Sequence, residues 1–120
     1  MIDHIGFEVS DLPRSARFYD AVFHALGVRR MHTGEHGIAY GVNGLSFWIT
    51  SRSMPAPGYG HVALRAAGKA AVDAAYAAGL AHGGTAEGQP GLRPAYGPRY
   101  YAAYLRDPDR LRVELVSGSG

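Results

Sequence analysis

The chain has 120 residues, of which 47% are hydrophobic and 18% charged, and it carries a net charge of +2 and no cysteine. This composition is typical of one folded domain over residues 1–120, large enough to bury a core without a metal or disulfide. It excludes thiol catalysis, and the scattered basic residues predict no nucleic-acid partner. Because neither a signal-peptide pattern nor an apolar run of about 20 residues is present, we expect a cytoplasmic protein without a membrane segment.

The first part of the chain predicts a strand, a helix and three more strands. Apolar residues alternate over residues 4–9, and this period of two places His4 and Glu8 on one face of a strand. Pro13 stands in the first turn of a helix whose apolar stripe ends at Gly27. Three strand-like segments follow at residues 28–32, 37–42 and 45–50, and an Asn-Gly turn joins the last two.

The second part repeats this plan after a Pro-rich linker at residues 51–58. It opens with the strand His61–Ala66 and continues with a helix at about Lys69–His82, where Gly79 weakens the helix by roughly 1 kcal/mol relative to Ala. Residues 84–98 are rich in Gly and Pro and predict an irregular loop around a short strand. Two strands close the chain, at residues 100–105 and 112–117. The duplication predicts module one at about residues 1–53 and module two at about 58–117.

Equivalent positions of the two modules carry side chains that bind metals. His4 and His61 stand near the start of each opening strand, and Glu114 lies in the last strand between two apolar residues. Two histidines and one carboxylate in this arrangement favour a metal-centred cavity. The alternative is that the histidines are ordinary hydrogen-bonded residues of the strands.

A cluster of tyrosines and arginines precedes the last strand. In a strand, Tyr100 and Tyr104 share one face and Tyr101 lies on the other, so one face is expected to line a cavity. A tyrosine there offers an apolar ring and a hydroxyl that binds a ligand or, at Tyr100, donates a proton. The alternatives are core aromatics and solvated arginines. The complete set of candidate substrate-binding residues is Trp48, Arg93, Tyr96, Arg99, Tyr101 and Tyr104.

The chain resembles the vicinal oxygen chelate superfamily, which includes glyoxalase I, extradiol dioxygenases, fosfomycin transferases and bleomycin-resistance proteins. The resemblance rests on the duplicated β-α-β-β-β plan, the run Asp11-Leu12-Pro13-Arg14-Ser15 with Phe18-Tyr19, and Asp107-Pro108-Asp109 before Val113-Glu114. It implies an α+β fold in which two tandem βαβββ modules form a U-shaped mixed sheet around a cavity. It also implies a homodimer.

The family's ligand positions fall on His4, Trp48, His61 and Glu114. Because tryptophan does not bind metals, the resemblance implies a three-ligand site for Mn, Fe, Co, Ni or Zn and argues against glyoxalase I activity, which uses four ligands. Trp48 is then either an apolar wall of the cavity or part of the core.

Two functions follow from these residues. The first is a small metal-dependent enzyme that chelates an oxygen-bearing substrate through His4, His61 and Glu114. Its reaction is of the lyase, isomerase or transferase type, ahead of dioxygenation, and Glu8 is a candidate proton carrier. The alternative is a metal-free protein that binds a planar aromatic molecule, as bleomycin-resistance proteins do; the slightly basic charge opposes the capture of cationic drugs.

Overall fold

The computed structural model describes residues 1–44 and 46–119, which form two helices, eight strands and a short 3₁₀ turn. The helices are α1 (Leu12–Ala25) and α2 (Lys69–Ala81), and the 3₁₀ turn covers Pro94–Tyr96. The strands are β1 (Ile5–Glu8), β2 (Arg29–Thr33), β3 (Gly37–Gly41), β4 (Phe47–Thr50), β5 (His61–Arg65), β6 (Thr85–Leu92), β7 (Tyr101–Arg106) and β8 (Arg112–Ser117). Among the described residues, no helix is long and apolar enough to cross a membrane.

The two halves of the chain form sheets of the same topology. The first has the strand order β1-β4-β3-β2 and the second β5-β8-β7-β6. In each sheet the opening strand runs parallel to the closing strand, and the remaining pairs are antiparallel. The predicted α+β class and the tandem βαβββ modules are therefore confirmed. Within one chain the described strands form two separate four-stranded sheets, whose opening strands β1 and β5 lie at the edges.

The helices lie on one face of each sheet and pack against each other, which joins the modules. Helix α1 begins at the cap residue Asp11, whose carboxylate accepts a hydrogen bond from the Arg14 amide at 3.0 Å, and Pro13 stands in its first turn. Gly27 follows the helix with a φ of 77°, a conformation that glycine adopts without strain. The shared helix layer leaves the opposite face of each sheet free of helices.

A buried hydrogen bond connects the two modules across this core. The hydroxyl of Tyr19 on α1 donates to Asp107, in the turn before β8, at 2.6 Å. Asp107 also accepts from the amides of Asp109 and Leu111. Burial raises the pKa of Asp107, while these donors oppose the rise. Burial, together with the Asp107 carboxylate, raises the pKa of Tyr19 well above its usual range.

The structure corrects the prediction for residues 84–98. An eight-residue strand, β6, occupies much of the segment that the Gly and Pro content predicted to be mainly irregular. β6 tolerates Pro90 because it is an edge strand whose pairing with β7 is interrupted by register shifts on either side of Gly88. The other boundaries differ by one or two residues. Leu45, placed at the start of the predicted strand 45–50, lies outside the described residues.

Candidate active site

The free face of the second sheet holds a cavity of about 260 Å³. Neighbouring strands bring its side chains together, since Glu114 on β8 pairs in register with Ala63 on β5 and with Tyr104 on β7. Val113 and Leu115 point to the helix side and are fully buried, which directs Glu114 into the cavity. The lining residues are His61, Tyr96, Tyr100, Tyr104, Arg112 and Glu114.

Glu114 and His61 form the polar centre of this cavity. The Nε2 atom of His61 lies 3.8 Å from Oε1 of Glu114, and the histidine side chain is 52% exposed while the glutamate side chain is only 6% exposed. The hydroxyl of Tyr100 donates a hydrogen bond to Oε2 of the same glutamate. This bond, with the negative charge it faces, raises the pKa of Tyr100 to about 12. Tyr100 is therefore protonated at neutral pH and holds the carboxylate in place.

The remaining tyrosines divide between the two faces of the sheet. Tyr96, in the 3₁₀ turn, lies with its ring centroid 5.4 Å from that of Tyr100 and forms one wall of the cavity. Tyr104 forms another wall. Tyr101 lies on the opposite face, where its hydroxyl donates to Asp73 on α2 at 2.6 Å. The structure thus brings Tyr96, Tyr100 and Tyr104 to the cavity and directs Tyr101 to the helix layer.

The arginines at the cavity differ from those that the sequence singled out. Arg99 is exposed and does not line the cavity, whereas the Arg93 guanidinium lies 5.5 Å from the centre of the Tyr104 ring. Arg112, which the sequence analysis missed, lines the cavity 4.3 Å from the same ring. Its position two residues before Glu114 on one strand was the available signal, because such residues share a face.

In the first module, the strands equivalent to β5 and β8 are β1 and β4. His4 immediately precedes β1, and Trp48 lies on β4. His4 is 58% exposed and contacts Asp3 at 2.7 Å through Nδ1. Trp48 on β4 is half-buried, pairs in register with Gly6, and lies 5.4 Å from the ring of His32. Trp48 is therefore partly open on this sheet rather than fully enclosed in the core.

Glu8 has its oxygens occupied by the linker between the modules. It accepts hydrogen bonds from the Thr50 hydroxyl at 3.1 Å and from the amides of Arg52 and Met54. The Arg52 amide is the main cause that lowers the pKa of Glu8. This geometry favours a role in fastening the linker to β1 over a role as proton carrier.

The side chains present fit a divalent metal in part. His61 and Glu114 supply one nitrogen and one carboxylate at the mouth of a cavity, which are ligands that Mn, Fe, Co, Ni and Zn accept. Among residues 1–44 and 46–119, no three histidine or acidic side chains converge on one point. His4 is not brought to the pair, because β1 and β5 belong to different sheets and make no contact. One chain therefore supplies two of the three predicted ligands at this cavity.

Known proteins share this architecture. A model of the glyoxalase/bleomycin resistance protein/dioxygenase superfamily matches residues 1–115. The crystal structure of a glyoxalase/bleomycin resistance protein from Albidiferax ferrireducens T118 is 34% identical, with a TM-score of 0.86 over 94% of this chain and 95% of that one.

More distant structures share the fold. A glyoxalase-related enzyme from Fulvimarina pelagi is 21% identical, with a TM-score of 0.77 over 100% of this chain and 94% of that one. Lactoylglutathione lyase from Agrobacterium tumefaciens is 22% identical, with a TM-score of 0.69 over 99% and 94%. No curated protein sequence matches the chain. The family match over most of the chain and the identity to the Albidiferax protein show that this chain belongs to the glyoxalase/bleomycin resistance protein/dioxygenase superfamily.

Proposed function

We propose that the protein is a divalent-metal-dependent enzyme that acts on a small oxygen-bearing substrate in the cavity of the second module. The observation that carries the proposal is the pair His61 and Glu114, 3.8 Å apart, with the carboxylate buried and the histidine accessible. A buried carboxylate beside an accessible imidazole is the kind of donor set from which metal sites are built. The superfamily includes metal-dependent enzymes, which agrees with this assignment.

The third ligand is proposed to be His4 of a second copy of the chain. His4 is exposed next to the edge strand β1, and His61 begins the edge strand β5, so both are accessible to a partner. A twofold-symmetric dimer that places β1 of one copy beside β5 of the other completes two identical sites. The free faces of the two sheets then enclose the cavity from both sides.

A metal held by His61, Glu114 and the second copy's His4 would supply stabilisation of negative charge on a substrate oxygen, which suits lyase, isomerase or transferase chemistry. The chain's own residues orient the carboxylate ligand and line the cavity. Tyr100 orients Glu114 through its hydrogen bond, and the Tyr100 hydroxyl retains its proton at neutral pH because its pKa is raised to about 12. Tyr96 and Tyr104 provide aromatic walls for a bound substrate. The cavity volume of about 260 Å³ sets the substrate at metabolite size.

The second candidate function is metal-free binding of a planar aromatic molecule. The observation that favours it is the set of tyrosine rings at the cavity, with Tyr96 and Tyr100 only 5.4 Å apart. The half-buried ring of Trp48 would add a stacking surface if the free face of the first sheet also lined the site. The two functions differ in their need for a metal.

The test is the metal content of untagged protein, measured by mass spectrometry after reconstitution with Mn(II), Fe(II), Ni(II) or Zn(II). We expect near-stoichiometric metal in the wild type and its loss in His4→Ala, His61→Ala and Glu114→Ala. His24→Ala, which removes an exposed histidine of α1, is the matched control and keeps its metal. A wild type that binds none of these ions refutes the metalloenzyme and leaves the aromatic binding protein.

Mixing two inactive variants tests the shared site. Co-refolding His4→Ala with Glu114→Ala gives mixed dimers that contain one intact site and one doubly altered site. Random pairing then restores about a quarter of the wild-type metal content. If all ligands came from one chain, the mixture would bind no metal.

A further inference from the structure

Arg112 is the cationic side chain of the cavity wall. It stands two residues before Glu114 on β8, so both side chains project from the same face of the sheet. The guanidinium carbon lies 4.3 Å from the centre of the Tyr104 ring, close enough for a cation–π contact. This contact places the guanidinium against the Tyr104 ring at the cavity, while the arginine side chain stays 39% exposed.

Glu87, an acidic residue outside the cavity, compensates the charge of Arg112 only weakly, because Arg112 shares it with Arg106. Glu87 on β6 uses both carboxylate oxygens for Arg106, at 2.6 and 2.7 Å. The Nε atom of Arg112 remains 3.8 Å from Glu87, which is beyond hydrogen-bond range. Within the part of the chain that the structure describes, this buried nitrogen has no hydrogen-bond acceptor. Arg112 therefore forms a long ion pair with Glu87 but no hydrogen bond to it through Nε, and its partly exposed side chain adds positive charge to the cavity.

A second arginine approaches the same ring and adds to this charge. The Arg93 guanidinium lies 5.5 Å from the centre of the Tyr104 ring, and it donates to the carbonyl of Gln89 at 2.7 Å. Gly88 gives the room for this arrangement, because a Cβ there would lie 2.9 Å from the Tyr104 ring and 3.5 Å from Arg93. Two arginines thus converge near one aromatic ring beside a single buried carboxylate, Glu114, whose proposed task is to hold a metal.

We propose that Arg112 is a substrate-binding residue and that the substrate carries an oxyanion, either a carboxylate or a phosphate-type group. The inference rests on the proposed function, since it names the charge of the molecule that occupies that site. The planar guanidinium of an arginine presents its donors as a fork that matches two oxygens of such a group. The oxyanion would accept hydrogen bonds from the exposed part of the Arg112 side chain, in the cavity where His61 and Glu114 would hold the metal.

The test uses three small probes in calorimetric titrations of the protein as purified and after dialysis against a chelator. Oxalate and inorganic phosphate represent the two oxyanion types, and oxamide has the shape of oxalate without its charge. We expect oxalate, phosphate or both to bind the metal-free protein, with oxamide at least about tenfold weaker. The stronger of the two anions identifies the substrate's charged group.

Variants assign the binding to this arginine. Arg112→Gln is expected to weaken anion binding at least about tenfold, the usual effect of losing a charge-assisted hydrogen bond, and Arg112→Lys to keep part of it. Arg29→Gln makes the same charge change at an exposed position of β2 in the other module and leaves binding unchanged. Circular dichroism and thermal melting check that each variant is folded.

Binding that is equal in Arg112→Gln and wild type overturns the inference, as does binding of oxamide as tight as that of oxalate. The metal measurement is independent of this result. Anion binding that depends on Arg112 in a protein that binds no metal would retain the anion site and refute the metalloenzyme. Metal binding by His61 and Glu114 without an Arg112-dependent anion site would retain the metalloenzyme and refute the anion site.

Discussion

Gly79 lies where helix α2 meets α1, and replacing it by alanine tests whether the helix contact or the helix propensity sets stability. Propensity alone predicts that Gly79→Ala stabilises the protein by about 1 kcal/mol, because glycine is a poor helix former. A Cβ at this position would lie 2.6 Å from the Cδ1 atom of Leu105, 3.1 Å from Val22 and 3.2 Å from Phe18. All three neighbours are fully buried in a close-packed core.

We expect the steric clash of the added Cβ to outweigh the gain in helix propensity. Forcing an extra methyl group into a packed core costs about 1–3 kcal/mol, and the approach to Leu105 is closer than real Cβ contacts allow. After the propensity gain of about 1 kcal/mol is subtracted, we expect Gly79→Ala to lower the free energy of unfolding by about 0–2 kcal/mol, towards the upper end because the approach to Leu105 is so close. The strain falls on Leu105 within the second module and on the contact with Phe18 and Val22 of the first.

Urea denaturation monitored by circular dichroism measures the change. Ala77→Gly, at an exposed position of the same helix, is the matched control and reports propensity alone, with an expected loss of about 1 kcal/mol. In the double variant Gly79→Ala/Leu105→Val, the shortened side chain relieves the clash, so the combined loss is smaller than the sum of the single losses. A Gly79→Ala protein more stable than wild type would refute the reasoning.

Two further predictions concern hydroxyl groups that face carboxylates. In protein labelled with ¹³C at the tyrosine Cζ, the Tyr100 signal should titrate near pH 12 in the wild type and closer to pH 10 in Glu114→Gln. This substitution keeps a hydrogen-bond acceptor but removes the charge. An unchanged titration would contradict the assignment of the shift to Glu114. Because the folded pKa of Tyr100 is raised, its hydrogen bond contributes fully below pH 10 and is lost as the pH rises towards 12. Tyr19→Phe should lower the free energy of unfolding by about 1–3 kcal/mol, since it removes a donor from the buried Asp107 carboxylate. Burial raises the folded pKa of Asp107, so the protonated carboxyl contributes its full stability in acid, and this contribution is lost as the pH rises through that pKa. Removing the Tyr19 donor raises the pKa of Asp107 further. The urea-measured loss should therefore be larger at pH 7 than at pH 4, and an equal loss at both values would count against this account.

The local pattern of the sequence was enough to predict most secondary structure. The period-two alternation in the last strand predicted that Glu114 opposes Val113 and Leu115, and the structure has this arrangement. The same rule separated Tyr100 and Tyr104 from Tyr101. Strand β6 was underestimated because Gly and Pro disfavour strands in general, and only its edge position, with shifted pairing, accommodates them.

The sequence by itself determined the order of helices and strands in two βαβββ modules, because periodicity and turn chemistry are local and the duplication repeated the signal. The family resemblance, and not the periodicity, implied how these elements assemble. Tertiary structure alone decided which side chains meet. It separated His4 from His61 by packing the helices between the modules, since contacts between helices depend on how distant segments pack. It also left Arg112 with only a long ion pair to Glu87, because both oxygens of that carboxylate bind Arg106. Local chemistry names the candidates, and the packing of segments far apart in the chain sets their partners and their charge.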